Sequence, residues 1–425
     1  MIRRVLSMAI LTLALPALAL AAVRPEPPNP GDDELVQMGR ALPGFGGLFY
    51  DAEGYPNVHL RDPGAPATLA ALKSLGQGEV KVRQGDYDFA QLVEWKRALR
   101  PVLLGQPGVT FLDADEASNR IVVGIDAARA KSLVGGIGDV RDLDKALASQ
   151  GVPRAAVVYR EGPAFRDLAG LQPDEKRGVP TVTIQDTIRP VPGGVQLIFL
   201  QLPLAYFCTI SFNAYLGGAY GFVTNSHCTY NRGMVDRTPY TQGGDPFGAI
   251  IATEIADPGY FTGTPCPAGS QCRYSDSSFA QYNGNSTKLG SFRALAHPSA
   301  RGPQQGSITL KPAGSRFTIA GTGSAAQGQL VNKIGVTTGW TYGQVSATCA
   351  DINITGSSYT LLCQNIVVAG ADNGDSGSPV FTWTKGTSVT LLGILWGGGT
   401  IGGQTVFAFS PFGSIQQELG TLRVR

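Results

Sequence analysis

The sequence predicts an all-β domain in the second part of the chain, preceded by a smaller α+β module. Three observations carry that prediction. Residues 1–189 hold 45 of the 66 charged side chains (34 basic plus 32 acidic), and residues 190–425 hold the other 21. The second part is rich in Gly, Ser, Thr and Asn, with short apolar runs between turn residues, the usual look of a many-stranded all-β domain. All six cysteines also lie there, as in a stapled, exported fold. At 425 residues the chain has room for two or three domains, each with its own core. A net charge of +2 and the lack of a basic stretch interleaved with aromatics argue against a nucleic-acid partner.

The elements follow in chain order. Residues 1–22 read as a signal peptide: Arg3 and Arg4 start it, Leu6 to Leu15 is its apolar core, and Ala17-Leu18-Ala19 and Ala19-Leu20-Ala21 offer small-x-small cleavage sites. The run contains Pro16 and is short for a membrane span, and no later segment is apolar for long enough, so a soluble exported protein is expected. Tyr87 to Leu104 has helical apolar spacing through Phe89, Leu92, Val93, Trp95, Leu99 and Val102. Strands are expected at 109–112, 121–125 and 155–159, with a helix over 140–150. The Pro/Gly-rich stretch between Arg177 and Gly194 marks an exposed connector, so 23–188 forms one unit and 189–425 the next. In the second unit, strands are expected at 197–204, 209–212, 222–224, 249–255, 345–348, 359–362, 389–396 and 406–409, with a helix over 414–422.

The chemistry concentrates in Asn373-Gly374-Asp375-Ser376-Gly377-Ser378-Pro379. A serine between glycines is held exposed beside backbone N–H groups, and it becomes a nucleophile only with a base and an oxyanion donor pair. Gly374 and Ser376 are the candidate donors. A Gly/Asp/Ser turn between strands is the bland alternative. Only three histidines are available as base: His59, His227 and His297. His227 follows an apolar strand and precedes Cys228, whose bridge to another cysteine would fix its backbone. His297 precedes Pro298 in a polar loop, and His59 lies in the first unit. A general-base histidine needs a third group to hold its tautomer. Asp276, where a turn runs into Ser277-Ser278-Phe279-Ala280, is the best placed of the intervening aspartates.

With these residues in order His, Asp, Ser, the chain resembles secreted bacterial chymotrypsin-like serine proteases, most of all the streptogrisin and α-lytic protease branch. The resemblance rests on Asn225-Ser226-His227-Cys228, Asp276-Ser277-Ser278-Phe279-Ala280, Gly335-Val336-Thr337-Thr338-Gly339-Trp340-Thr341-Tyr342-Gly343 and Gly374-Asp375-Ser376-Gly377-Ser378-Pro379. It covers roughly residues 195–420 and departs at Ser226 and Ser378, where smaller residues are usual. It implies two antiparallel β-barrels with the cleft between them, His227 and Asp276 from the first and Ser376 from the second, and a crossover over 320–329. It implies a peptide hydrolase acting through an acyl-enzyme on protein or peptide substrates. Residues 115–123 are also similar to the pro-regions of that branch, so the first unit is expected to assist folding, inhibit the enzyme and be removed. A monomer without metal or cofactor is expected.

Six cysteines leave the pairing open, and neighbour pairing is the simplest: Cys208–Cys228, Cys266–Cys272, Cys349–Cys363. Cysteine pairs at zinc-binding spacing are missing. Asp375 beside the nucleophile needs a partner if buried; the resemblance implies an internal basic residue near the Thr-Thr-Gly run, and Lys333 stands at the matching place. Leu395, Trp396 and Gly397 are expected to line the substrate edge. Six residues before Ser376, where the resemblance to tryptic relatives would imply an acid, stands Gly370, so a neutral pocket for apolar or aromatic side chains is expected; a basic preference through Asp372 is the runner-up. Two readings compete. A catalytically silent binding protein would keep the fold without an activated hydroxyl. An α/β-hydrolase would place the serine before its acid and histidine, opposite to this order.

Overall fold

A computed structural model describes residues 30–65, 80–128, 141–171, 182–243, 246–284, 289–312, 314–383 and 385–424. The candidate signal peptide, 1–22, lies outside the described residues.

The first unit is built on the helix Phe89–Leu103. Its buried face, Phe89, Leu92, Val93, Leu99 and Leu103, packs in one core with Leu112, Ile121 and Val123 of the adjoining sheet. Val109–Asp115 pairs antiparallel with Arg120–Ile125, which pairs in parallel with Val157–Glu161. A parallel return needs a crossover, and the helix Arg141–Ser149 lies within it. The sheet does not end there: Leu112 and Phe111 pair with Asp351 and Ile352 of the second unit, joining the two parts through one ladder.

The second unit is all-β, two antiparallel β-barrels. In the first, Phe212–Leu216 pairs with Ala219–Thr224, that strand with Ser278–Tyr282, and Ser278–Tyr282 with Ala252–Ala256. The second contains Leu330–Gly335, Gly339–Asn353, Tyr359–Val368, Pro379–Trp383, Ser388–Ile401 and Gln404–Pro411. The helix Phe412–Leu419 follows and buries Phe412 and Ile415 in a core with Phe212 and Phe222 of the first barrel and Ile334 and Ile394 of the second.

Several expectations shift. The strand expected at 197–204 is a hairpin, Gln196–Gln201 and Leu204–Thr209, turning at Leu202–Pro203. Proline has no N–H for a ladder, so the run breaks there. The strand expected at 209–212 breaks at Ile210–Ser211. The crossover expected at 320–329 begins as the strand Arg316–Thr322, held between Gly290–Ala296 and Ser388–Ile401. Ahead of the boundary expected at 188/189, Ile184 and Ile188 are buried in one core with Val195, Leu197 and Phe212, and Ile184 accepts from Gln196 N–H and donates to Ile308 O.

Candidate active site

His227 sits on a single 3-10 turn, Ser226–Cys228, directly after the strand Ala219–Thr224. The Cys208–Cys228 disulfide ties that turn to the neighbouring hairpin. The other bridges are Cys266–Cys272 and Cys349–Cys363. Ser226 is buried and donates to Asp257 Oδ2 at 2.8 Å while accepting from Gly233 N–H at 2.8 Å. The hydroxyl that distinguishes this position therefore fixes the loop after His227. Asp257 in turn pairs with the buried Arg273 at 2.8 Å, and burial raises its carboxyl to about 6 against that pull.

Asp276 lies just before the strand Ser278–Tyr282, fully buried. Its Oδ2 is 2.5 Å from His227 Nδ1, its Oδ1 accepts from His227 N–H at 3.2 Å, and its own N–H donates to Ser410 Oγ at 3.0 Å. Burial alone would raise its pKa; the facing His227 and the nearby Arg232 guanidinium outweigh burial and hold it well below the usual carboxylate range. His227 Nε2 is 2.7 Å from Ser376 Oγ. The structure thus brings His227, Asp276 and Ser376 into one hydrogen-bonded chain.

Ser376 stands in a turn that needs its glycines. Gly374 has φ of 100°, and a Cβ there would lie 2.1 Å from a Phe207 ring carbon. Ser378 Oγ donates to Asp375 O at 2.5 Å, so its extra hydroxyl closes the same turn. Asp375 is fully buried. Its Oδ1 accepts from the N–H groups of Thr337 and Thr338, and its Oδ2 from Thr338 Oγ1 at 2.6 Å and Lys333 Nζ at 2.9 Å. The Thr-Thr-Gly run therefore wraps this carboxylate. Burial lowers the Lys333 pKa while Asp375 opposes the fall.

A segment of the first unit fills the cleft. Asp167 and Arg166 pair antiparallel with Gly397 and Gly398 on one side, and Gly170 and Leu171 pair with Phe207 and Tyr206 on the other. Between them Leu168 O accepts from the Gly374 N–H, and Leu168 N–H donates to Ser376 Oγ at 3.1 Å. Of the two expected oxyanion donors, Gly374 is the one that bonds this oxygen. Leu168 packs against an apolar cluster that includes Leu395, Phe407 and Phe409. Phe165 is fully buried, its ring 6.1 Å from that of Trp396. Trp396 O accepts from Ser376 Oγ at 3.2 Å, and Trp396 Nε1 donates to Gln364 Oε1 at 3.0 Å. Leu395 thus shares the cluster beneath Leu168, Trp396 O bonds Ser376 Oγ, and Gly397 pairs with Asp167. Asp372 is exposed, and its Oδ1 accepts from Asn373 N–H at 2.7 Å.

The other two histidines are elsewhere. His297 lies 4.0 Å from the Phe317 ring, and burial, helped by Lys311, lowers it to about 4. His59 contacts the carbonyls of Gln84 and Ala117 in the first unit. Sequence reasoning missed Leu168, Asp167 and Arg232; nothing in their local pattern marks them.

No protein-family profile matches the chain, and no curated protein does. Among solved structures it is similar to Thermobifida fusca protease A, at 21% identity and TM-score 0.38, over 55% of this chain and 97% of that one. A glutamic acid specific serine protease shares 22% identity at TM-score 0.39, over 55% of this chain and all of the other. The alpha-lytic protease homolog N4 shares 19% at TM-score 0.39, over 55% and 99%. The solved structures this chain is similar to are bacterial chymotrypsin-like serine proteases.

Proposed function

We propose that the protein is an exported serine endopeptidase made as a zymogen, and that the first bond it cuts is its own Leu168–Ala169 bond. One observation carries this reading: the Leu168 carbonyl faces the Gly374 N–H while Ser376 Oγ contacts both Leu168 N–H and His227 Nε2. His227 takes the hydroxyl proton as Ser376 Oγ bonds to the Leu168 carbonyl carbon. The electron pair moves onto the oxygen, where Gly374 N–H meets it. Collapse breaks the bond to Ala169 nitrogen, which takes the proton from His227, and water then releases the acyl group by the same route. Asp276 holds the imidazole in register and stabilises its charged form.

The apolar surroundings of Leu168 support a neutral, apolar preference on the acyl side of the cut bond. The first unit then acts as inhibitor as well as precursor, because its segment covers the nucleophile. Export fits the N-terminal sequence and three disulfides, which persist in oxidising compartments. Among the described residues no helix is long and apolar enough to cross a membrane. A fluorophosphonate probe tests the reading after removal of the first unit: Ser376 takes the label, and Ser376→Ala does not. Equal labelling of both contradicts it.

A further inference from the structure

Arg232 follows His227 by five residues, in the loop after the 3-10 turn. Its side chain is 11% exposed, and it lies between two carboxylates. One is Asp276, 3.6 Å away. The other is Asp167 of the segment in the cleft, with which it forms an ion pair. The guanidinium lies 5.0 Å from the Tyr359 ring centroid, and that ring meets Tyr260 at 4.5 Å. The loop has little room to move: Gly233 has φ of 72°, and a Cβ there would come within 2.6 Å of Tyr260. Asp167 Oδ1 is also 3.7 Å from His227 Nδ1, so this carboxylate stands directly beside the catalytic group.

Burying a guanidinium is costly unless a carboxylate answers it. Asp276 already bonds the His227 ring and backbone, so Arg232 shares that partner. Its other partner, Asp167, comes from the bound segment. The backbone ladder sets which residue that is, because Asp167 pairs with Gly397 and immediately precedes the residue whose carbonyl meets Gly374.

Resting on the peptidase reading above, we propose that Arg232 is a specificity determinant: the cleft selects an acidic residue immediately before the apolar residue whose carbonyl is attacked. The substrates are proteins and peptides carrying an acidic–leucine pair, of which Asp167-Leu168 is the copy within this chain. A planar, permanently charged fork reads a carboxylate better than its amide, because the amide leaves a desolvated charge unanswered.

The test uses the matured enzyme from the full chain and two peptides, Phe-Arg-Asp-Leu-Ala-Gly-Leu and its counterpart with Asn for Asp. The wild type favours the Asp peptide in kcat/KM by about tenfold or more, a ratio worth about 1.4 kcal/mol in transition-state binding. In Arg232→Gln the ratio falls to about twofold or less. Comparing ratios cancels any general loss of activity caused by the change beside Asp276. Arg232→Lys, which keeps the charge without the fork, gives an intermediate ratio and serves if the glutamine variant does not fold. A wild-type ratio near one, or an unchanged ratio in both variants, overturns the proposal while leaving the peptidase reading intact. A protein that cuts neither peptide and takes up no fluorophosphonate overturns that reading, and this inference with it.

Discussion

The carbonyl oxygen of Leu168 accepts a hydrogen bond from the N–H of Gly374. One residue comes from the α+β unit and the other from the turn that carries Ser376, so the two parts of the chain meet as substrate and enzyme would. Gly374 reaches this place with φ of 100° and a Phe207 ring where its Cβ would be. Gly374→Ala therefore displaces the donor, and removal of one such donor costs about 100- to 1000-fold in kcat. Turnover of a small peptide substrate by the two proteins checks it.

The apolar seat of Leu168 sets a second expectation. Leu168→Arg places an unpaired charge against Leu395, Phe407 and Phe409 and slows release of the first unit by about 100-fold or more. Leu168→Met, similar in volume and polarity, changes it only a few-fold. A time course of chain cleavage, followed by gel or intact mass, distinguishes these outcomes.

Lys333 and Asp375 are both fully buried, 2.9 Å apart. Lys333→Met leaves the Asp375 carboxylate without its cation and destabilises the second unit by about 3–5 kcal/mol. Adding Asp375→Asn removes the stranded charge and returns part of that loss. Denaturant unfolding in a Ser376→Ala background, where self-cleavage does not intervene, gives the numbers.

Docking of the first unit depends on pH through buried acids between it and the hairpin formed by Gly339–Asn353 and Tyr359–Val368. Glu116 is buried there and accepts from Thr348 Oγ1, and its carboxyl is raised to about 8, chiefly by burial. Asp113 is raised as well, by burial and by Glu116 and Asp115 beside it. The cations facing this cluster are Lys96, paired with Asp32, and Arg160, 3.6 Å from Asp115; Gln327 bonds Asp115 from the second unit. Undocked, Glu116 loses its proton near the usual 4.5; docked, it keeps it to about 8. Across that window the undocked state binds fewer protons, so docking weakens as pH rises and the full loss is present above 8. After cleavage the two parts co-elute from a sizing column at pH 5 and separate more readily at pH 8.5, and Glu116→Gln flattens the difference.

Sequence made the candidate site legible where its chemistry is local. The serine turn needs glycines at positive φ, and the histidine turn follows an apolar strand and precedes a cysteine, so both announce themselves. Asp276 was reachable because a strand start can bury a carboxylate. Charge density marks 188/189, yet Ile184 and Ile188 before it are already buried with residues of the second unit, because charge counts do not register burial. Arg232 and Asp167 were invisible for a different reason. They lie far apart in the chain and meet only because a ladder with Gly397 sets the register of the bound segment. No spacing rule encodes such a pairing.

Attack of Ser376 on the Leu168 carbonyl is the step from which the proposed self-cleavage follows. Intact mass of the N-terminal fragment released by the full chain tests this most directly. The fragment from the wild type ends at Leu168, and Ser376→Ala, purified under the same conditions, yields none. A Ser376→Ala chain cut at the same bond, or a wild-type fragment first cut at a different bond, contradicts it.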